Sequence, residues 1–419
     1  MRKECLFDTC FSTEWIAERI CDAVGEFSSL AYWRAEKIGI GQGFMSDIVR
    51  LELGWTEKTS ELPSSVVLKI PSLNNLLPQL DDLDLDPESR RQAEDSLVQS
   101  VLPKAHGNEC VSYQLLEEVD GLPMPRCFYS HLMTRYQSGI LILEDFWQIA
   151  GTVNMVDGLT GSQLERTAEA LASVHAYSLT HNDWQENFQS LTHDNYQTWP
   201  AMARAALQKL RSMKPEYFDD LLPEIRWCID ASCRFLHRDP HELFGYPSVM
   251  THGDFWTNNM LFELSEKGFS HRLMAIIDWQ TVHPSSCVHD LARLLISSCC
   301  AETRRQETNR ILRIYHEHLC YKMDNQCPLT LQDVYNCFSL TLPMRMVHFL
   351  CAVPVLVDGP LVEGEDKTAR VIELLTRAKD IIEDVIPLKK RFVKLGLVDE
   401  DEETELDTSS EDLEDMLLD

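Results

Sequence analysis

Basic residues are scarce in this chain: 38 Lys and Arg stand against 67 Asp and Glu, a net charge of −29. Proteins that hold nucleic acid neutralise phosphates with clustered Lys and Arg, so this balance argues against a DNA or RNA partner. Long apolar runs are missing as well. The stretch 349–357 is too short to cross a bilayer and is interrupted by Pro354, so no membrane span is expected. The first residues, Met-Arg-Lys-Glu-Cys-Leu-Phe-Asp, lack the apolar core of a secretory signal. The 14 cysteines form no Cys-x-x-Cys pair. Free thiols in a reducing, cytoplasmic setting are therefore expected rather than a disulfide scaffold. There is no internal repeat, no Gly-Lys-Ser/Thr to close a Walker A loop, and no Gly-rich turn leading from a strand into a helix as in a Rossmann fingerprint.

What is present suits two domains or one large two-lobed unit. The chain has 419 residues, 44% of them hydrophobic and 9% aromatic, enough for substantial cores. Much of the negative charge is local. Residues 396–419 carry 12 Asp or Glu and no Lys or Arg, leaving about −17 for the rest. This tail cannot bury enough surface to fold alone and is expected to be disordered, with an unknown partner. Thr408 and Ser409, each followed three residues later by an acid, give it a weak signal for an acid-directed kinase.

The first 145 residues read as β-rich. A short helix over 12–27, capped by Ser12 or Thr13, presents Trp15, Ile16, Ile20 and Val24 on one face. Strands are expected at 32–40, 48–53 and 66–70, then near 126–129 and 139–143. Residues 71–107, with an acidic patch at 81–86, read as irregular with short helical pieces, followed by a helix over 108–119. Beyond residue 145 the pattern turns helical up to about 395. Helices are expected at 160–177, as a pair around Pro215 and Pro223, and at 288–322, 330–351 and 365–385, with a strand–loop–strand block at 249–280.

That block carries the chemistry. Residues 251–259 read Thr-His-Gly-Asp-Phe-Trp-Thr-Asn-Asn, and 276–280 read Ile-Ile-Asp-Trp-Gln. Asp254 can orient a hydroxyl, Asn259 five residues later can ligate a metal, and Asp278 follows an apolar strand; this is the catalytic half of a phosphoryl-transfer site. A second triplet, His237-Arg238-Asp239, spells a kinase signature but has Phe244 where the metal-binding amide belongs, and reads as an incidental helix end. The nucleotide half stands upstream. Gly39, Gly41 and Gly43, with Ser46, form a loop that lets the backbone approach phosphate oxygens. Lys69 sits in the apolar strand Val-Val-Leu-Lys-Ile and needs an anionic partner, since an unpaired buried ammonium is costly. Glu109 on the next helix is better placed for this than Glu117 or Glu118.

These residues resemble the ecdysteroid-kinase-like (CHK-kinase-like) group, nearest its nematode-type members, within the aminoglycoside/choline kinase branch of the protein-kinase-like fold. The resemblance spans about residues 30 to 385 and rests on the Gly39–Ser46 loop, 67–72, Glu109 with Tyr113, 252–259, 277–280 and His289-Asp290-Leu291-Ala292-Arg293. It implies an α+β bilobal fold with a β-rich N-terminal lobe (1–145), a mainly helical C-terminal lobe (146–395) and the acidic tail (396–419). It further implies ATP- and Mg2+-dependent phosphorylation of a hydroxyl on a small molecule. In that scheme Lys69 contacts the phosphates and Glu109 anchors it, Asp254 is the base, and Asn259 and Asp278 hold Mg2+. Asp290 braces the catalytic loop, and the segment Leu141–Phe146, with Glu144, reads the adenine edge. No activation-loop or Ala-Pro-Glu element follows Asp278, which argues against protein substrates.

Rival readings are a choline- or aminoglycoside-type kinase acting on a cation and a pseudokinase used for binding. Trp256, Met344 and Phe349 could line a pocket for a steroid-like, lipophilic or xenobiotic-derived alcohol, although such residues at helical spacing are more often core. The cluster His316-Glu317-His318-Leu319-Cys320 offers metal-type ligands, but only 316 and 320 share a helix face. A surface helix with Cys320 buried is expected there rather than zinc. His175 is expected to be a packed helix residue.

Overall fold

A computed structural model of the chain describes residues 5–7, 9–39, 45–57, 59–74, 76–77, 87–134, 136–181, 183–191, 199–235 and 240–399. Gly41, Gly43, the acidic patch 81–86, the triplet 237–239 and the tail from 400 onward lie outside the described residues, as do Thr408 and Ser409.

The N-terminal lobe is built on alternation. Helix α1 (Thr13–Val24) is capped by the Ser12 hydroxyl, which accepts the Trp15 N–H at 3.3 Å, and buries Ile16 and Ile20. Strands β1 (Leu30–Ile38), β2 (Ser46–Trp55) and β3 (Ser65–Pro71) follow as an antiparallel meander. After a helical run come β4 (Cys127–His131) and β5 (Ile140–Glu144), which complete a five-stranded antiparallel sheet in the order β1-β2-β3-β5-β4. Because successive side chains in a strand point to opposite faces, Val66, Leu68 and Ile70 of β3 join Ile140 and Ile142 in a core under α1. Val67 and Lys69 face the other way, where Leu141 and Leu143 merge with the main helical core.

The helical run begins earlier than the sequence pattern suggests. Helix α2 (Pro87–Ser96) passes through one π-turn (Leu97–Val101) into α3 (Leu102–Leu115) and a 3-10 turn ending at Glu118. Residues 87–107 are thus helical rather than irregular. The reason is local: α2 has no apolar stripe, and side-chain pairs such as Arg90–Glu94 at 2.9 Å support it along its surface.

The C-terminal lobe opens with β6 (Ala150–Thr152) and α4 (Gly161–Thr180), where Thr160 and Gln163 form a reciprocal capping box. Then come α5 (Trp199–Met213), α6 (Pro215–Phe218), α7 (Arg226–Phe235), β7 (Val249–Thr251), the hairpin β8 (Met260–Ser265) and β9 (Gly268–Ile276), and β10 (His283–Ser285). The 249–280 block is therefore a strand, a loop and a hairpin. The expected helix 288–322 is two helices, α8 (His289–Ser297) and α9 (Ala301–Lys322), followed by α10 (Leu331–Leu356), α11 (Lys367–Val385) and α12 (Lys389–Lys394). Helix α10 continues through Pro343 and Pro354 and packs against α5, α7, α8, α9 and α11. It is the one helix among the described residues long and apolar enough to cross a membrane by composition, and 61% of its most apolar window is buried within the protein. The antiparallel β lobe followed by a helical lobe, with β7–β9 carrying a loop between them, is the bilobal α+β architecture expected from the sequence.

One buried cation ties the start of this lobe to its end. Arg377 on α11 is 1% exposed; its Nη1 and Nη2 donate to the Met155 and Val156 carbonyls at 2.6 and 2.5 Å, and its Nε to Glu373 at 2.7 Å. Arg377→Leu would strand two buried carbonyls, so a urea melt is expected to show a loss of about 3 kcal/mol.

Candidate active site

Three segments converge on Lys69. Strand alternation turns it away from the α1 core, towards α3, and its side chain is only 11% exposed. Its Nζ donates to both oxygens of Glu109, at 2.6 and 2.8 Å, and also contacts the Asp278 carboxylate directly. Glu109, on α3, is 1% exposed. Burial pulls the Lys69 ammonium down, but Asp278 and Glu109 more than offset it and hold its pKa above the ordinary value. Burial pushes the Glu109 carboxyl up, against the pull of Lys69. Two carboxylates against one ammonium leave the cluster with surplus negative charge. Asp278 itself sits at φ 68°, a left-handed conformation uncommon for a non-glycine residue and typical of functional loops.

The loop after β7 faces this cluster. Gly253 is at φ +88°, and a Cβ there would stand 2.5 Å from the Thr281 carbonyl oxygen, so glycine is required for close backbone approach. Asp290, in the first turn of α8, accepts two loop amides: His252 N–H at 2.6 Å and Gly253 N–H at 3.0 Å. The His252 ring is wholly buried between Phe255 and Trp279. Its Nε2 donates to the Ile277 carbonyl at 2.9 Å, and its Nδ1 accepts the Asp254 N–H at 3.2 Å. This tautomer couples the residue before Asp278 to Asp254 through one imidazole.

Asp254 is held from both sides. The Arg293 guanidinium from α8 donates to its Oδ1 at 2.8 Å, and Asn259 Nδ2 donates to its carbonyl at 2.8 Å and its Oδ2 at 3.3 Å. Arg293 also lies over the Trp256 ring, 5.7 Å from its centroid. With Nδ2 committed to Asp254, the orientation of the Asn259 amide is fixed and its Oδ1 is left as a ligand oxygen. Asn259 and Asp278 thus offer the hard oxygen donors that Mg2+ prefers, beside a cluster with negative charge to spare.

A family profile described as "Uncharacterized oxidoreductase dhs-27" (DUF1679) matches residues 3–391. The chain belongs to this family. Among curated proteins, this DUF1679 chain is 23% identical over 330 residues to "Uncharacterized oxidoreductase dhs-27" of Caenorhabditis elegans, a match covering 74% of the chain and 39% of that protein. It is 25% identical over 202 residues to "Uncharacterized kinase-like protein D1044.1" of the same organism, covering 48% of the chain and 52% of that protein. The chain therefore spans about half or less of the curated relatives it matches. Among solved structures it is similar to a putative aminoglycoside phosphotransferase from Ralstonia eutropha JMP134, with TM-score 0.48 and 12% identity over 91% of this chain and 99% of that one. It is also similar to the GDP and kanamycin complex of APH(2")-IIIa, with TM-score 0.46 and 13% identity over 87% and 98% of the two chains.

The structure brings Lys69, Glu109 and Asp278 into one cluster and Asp254 and Asn259 onto one loop. Gly39 ends β1 at φ +64°, and Ser46 opens β2 as a buried residue, with Gly41 and Gly43 between them outside the described residues. The Glu144 carboxylate, at the end of β5, accepts the Arg126 N–H at 3.1 Å. Met344 and Phe349 are core residues, while Trp256 stays partly exposed beside Arg293. His175 is fully buried against the Tyr315 hydroxyl at 2.8 Å. The residue that sequence reasoning gave no role is Arg293, although its place one turn after Asp290 was the available signal. Asp290→Ala would leave two loop amides without an acceptor. A loss of about 2–4 kcal/mol is expected in a denaturant melt, with Asp290→Asn losing less because one oxygen is kept.

Proposed function

We propose that this chain is a phosphotransferase that moves the γ-phosphoryl group of ATP, with Mg2+, to a hydroxyl of a small molecule. The observation that supports it most is the convergence of Lys69, Glu109 and Asp278 opposite a loop that presents Asp254 and Asn259. In this reading Lys69, oriented by Glu109, grips the phosphates. Glu144 and its neighbours at the end of β5 border the adenine. Asn259 and Asp278 would hold Mg2+, which when bound offsets charge on the phosphate oxygens. Asp254 accepts a hydrogen bond from the acceptor hydroxyl. As the oxygen bonds to the γ-phosphorus and the bond to the β-phosphate oxygen breaks, the hydroxyl proton passes to the Asp254 carboxylate and ADP leaves. Arg293, by holding Oδ1, keeps Oδ2 directed at the acceptor.

The surroundings of Asp254 bear on the acceptor. A site for a cation needs acidic or aromatic walls, but the Asp254 carboxylate is paired with the Arg293 guanidinium and the same guanidinium lies over the Trp256 ring. This favours an uncharged acceptor, such as a steroid-like, lipophilic or xenobiotic-derived alcohol, over choline or an aminoglycoside.

The test is ATP turnover against a panel of hydroxylated sterols, glycosides, choline and xenobiotic conjugates. Acceptor-dependent ADP release is expected, falling about 10²–10⁴-fold in Asp254→Ala. Binding of Mg-ATP with no acceptor-dependent turnover anywhere on the panel would replace this reading with the pseudokinase. Arg293→Gln separates positioning from nucleotide binding: kcat is expected to fall about 10²-fold while the KM for ATP stays near wild type.

A further inference from the structure

The last turns of α9 and the loop that follows bring three soft or borderline ligands together. His316 and Cys320 lie one turn apart on one helix face, and the chain reverses at Asp324 and Asn325, both at positive φ, to return Cys327 to them. The ring nitrogen of His316 and the sulfurs of Cys320 and Cys327 all lie within 4.8 Å of one another. The Cys320 sulfur is 3.5 Å from His316 Nε2 and 4.0 Å from Nδ1. Ligands at roughly 2.0–2.3 Å from a tetrahedral ion stand roughly 3.5–3.8 Å apart, so the 4.0 Å between the Cys320 sulfur and Nδ1 must shorten for both to bind one ion. Cys320 is half-buried rather than buried as the sequence suggested, and His316 and Cys327 are likewise half-buried, which leaves an entry path.

The hydrogen bonding of the imidazole favours a ligand role. His316 Nε2 is 2.8 Å from the Leu329 carbonyl, which can only accept. Nε2 therefore carries the proton and Nδ1 presents its lone pair. Metal-bound histidines commonly donate their second N–H to a carbonyl or carboxylate in this way, which fixes tautomer and ring orientation. Two further thiols, Cys287 and Cys337, are buried and share a hydrogen bond, and Cys287 interacts electrostatically with Cys327.

We propose that His316, Cys320 and Cys327 form a site for a soft divalent cation of the zinc class, its fourth position open to water. Two thiolates balance the charge of the ion, and binding releases the two thiol protons to solvent. The ion fastens the end of α9 to the loop that leads into α10. None of the three residues takes part in the Lys69–Asp254 arrangement, so the site stands or falls apart from the phosphotransferase reading.

The test uses the full chain, reduced, stripped with chelator and titrated with Co2+ and then Zn2+. One Co2+ per chain is expected, with a thiolate charge-transfer band, release of about two protons, displacement by Zn2+, and an upward shift of a few degrees in Tm with excess Zn2+. Cys320→Ser, Cys327→Ser and His316→Ala are each expected to weaken binding at least about tenfold, while Cys351→Ser keeps it; matching far-ultraviolet circular dichroism guards against misfolding. Absence of a stoichiometric band at micromolar metal overturns the proposal, as does a band that survives Cys327→Ser. A protein that refuses metal and joins Cys320 to Cys327 on mild oxidation also overturns it, assigning the pair to redox chemistry instead.

Discussion

One ammonium buried between two carboxylates sets the arrangement of the active-site elements. Lys69 comes from a β3 whose neighbours on both sides are hydrogen-bonded, Glu109 from α3, and Asp278 from the segment after β9. Each of the three would be costly to bury alone, and removing Lys69 would leave two carboxylates with no positive charge between them. Their mutual attraction therefore fixes the sheet, the helix and the helical lobe relative to one another. The pairing is also unbalanced, with one positive charge against two negative ones. That imbalance is a poor solution for stability alone and a suitable one for a site completed by a cation.

A second constraint sits behind it and works through backbone rather than charge. Asp290 collects the His252 and Gly253 amides, Gly253 accepts a conformation and an approach that a Cβ would block, and His252 links the Asp254 amide to the Ile277 carbonyl. The Thr281 hydroxyl adds a bond to the His252 carbonyl at 2.8 Å. Buried polar groups in this loop thus bind one another, and the direction of Asp254 becomes a property of the whole web. Arg293 extends the same helix, α8, to the carboxylate itself. Bracing and aiming come from residues one turn apart.

What could be read from sequence follows the range of the interaction. Lys69 was legible because a lone charge in an apolar strand must find a partner, and Glu109 because the next helix offered few candidates. Asp290 came with the resemblance. Arg293 stands in the same motif one turn after Asp290, a faint signal, because its meeting with Asp254 spans 39 residues. Helix α2 was missed for a different reason: its support is pairing along a polar surface, which leaves no apolar period to detect. The β8–β9 hairpin turns at Glu266-Lys267, without the Asn-Gly or Asp-Gly signature that marks tight hairpins. Cys327 stands in a loop beyond the helix that carries His316 and Cys320, so facial spacing on α9 could count only two ligands.

The word oxidoreductase in the description of the matched family has to be weighed against this architecture. Hydride transfer with a nicotinamide dinucleotide uses a crevice at the carboxyl ends of parallel strands, with the pyrophosphate on a helix N-terminus after a Gly-rich turn. Every strand pairing among the described residues here is antiparallel, from the five-stranded sheet to the short β7–β10 ladder. Gly39 follows β1 and Ser46 opens β2, so strands stand on both sides of the Gly-rich segment. The relative that bears the oxidoreductase name is matched over 39% of its length, so most of that protein lies outside the comparison. Within residues 3–391, which the family profile matches, the candidate groups are a lysine, a glutamate, two aspartates and an asparagine. A lysine can grip a phosphate, aspartate and asparagine oxygens can hold a divalent cation, and an aspartate can accept a hydrogen bond from a hydroxyl. The architecture and these groups favour the proposed phosphoryl transfer over hydride transfer as the chemistry of this chain.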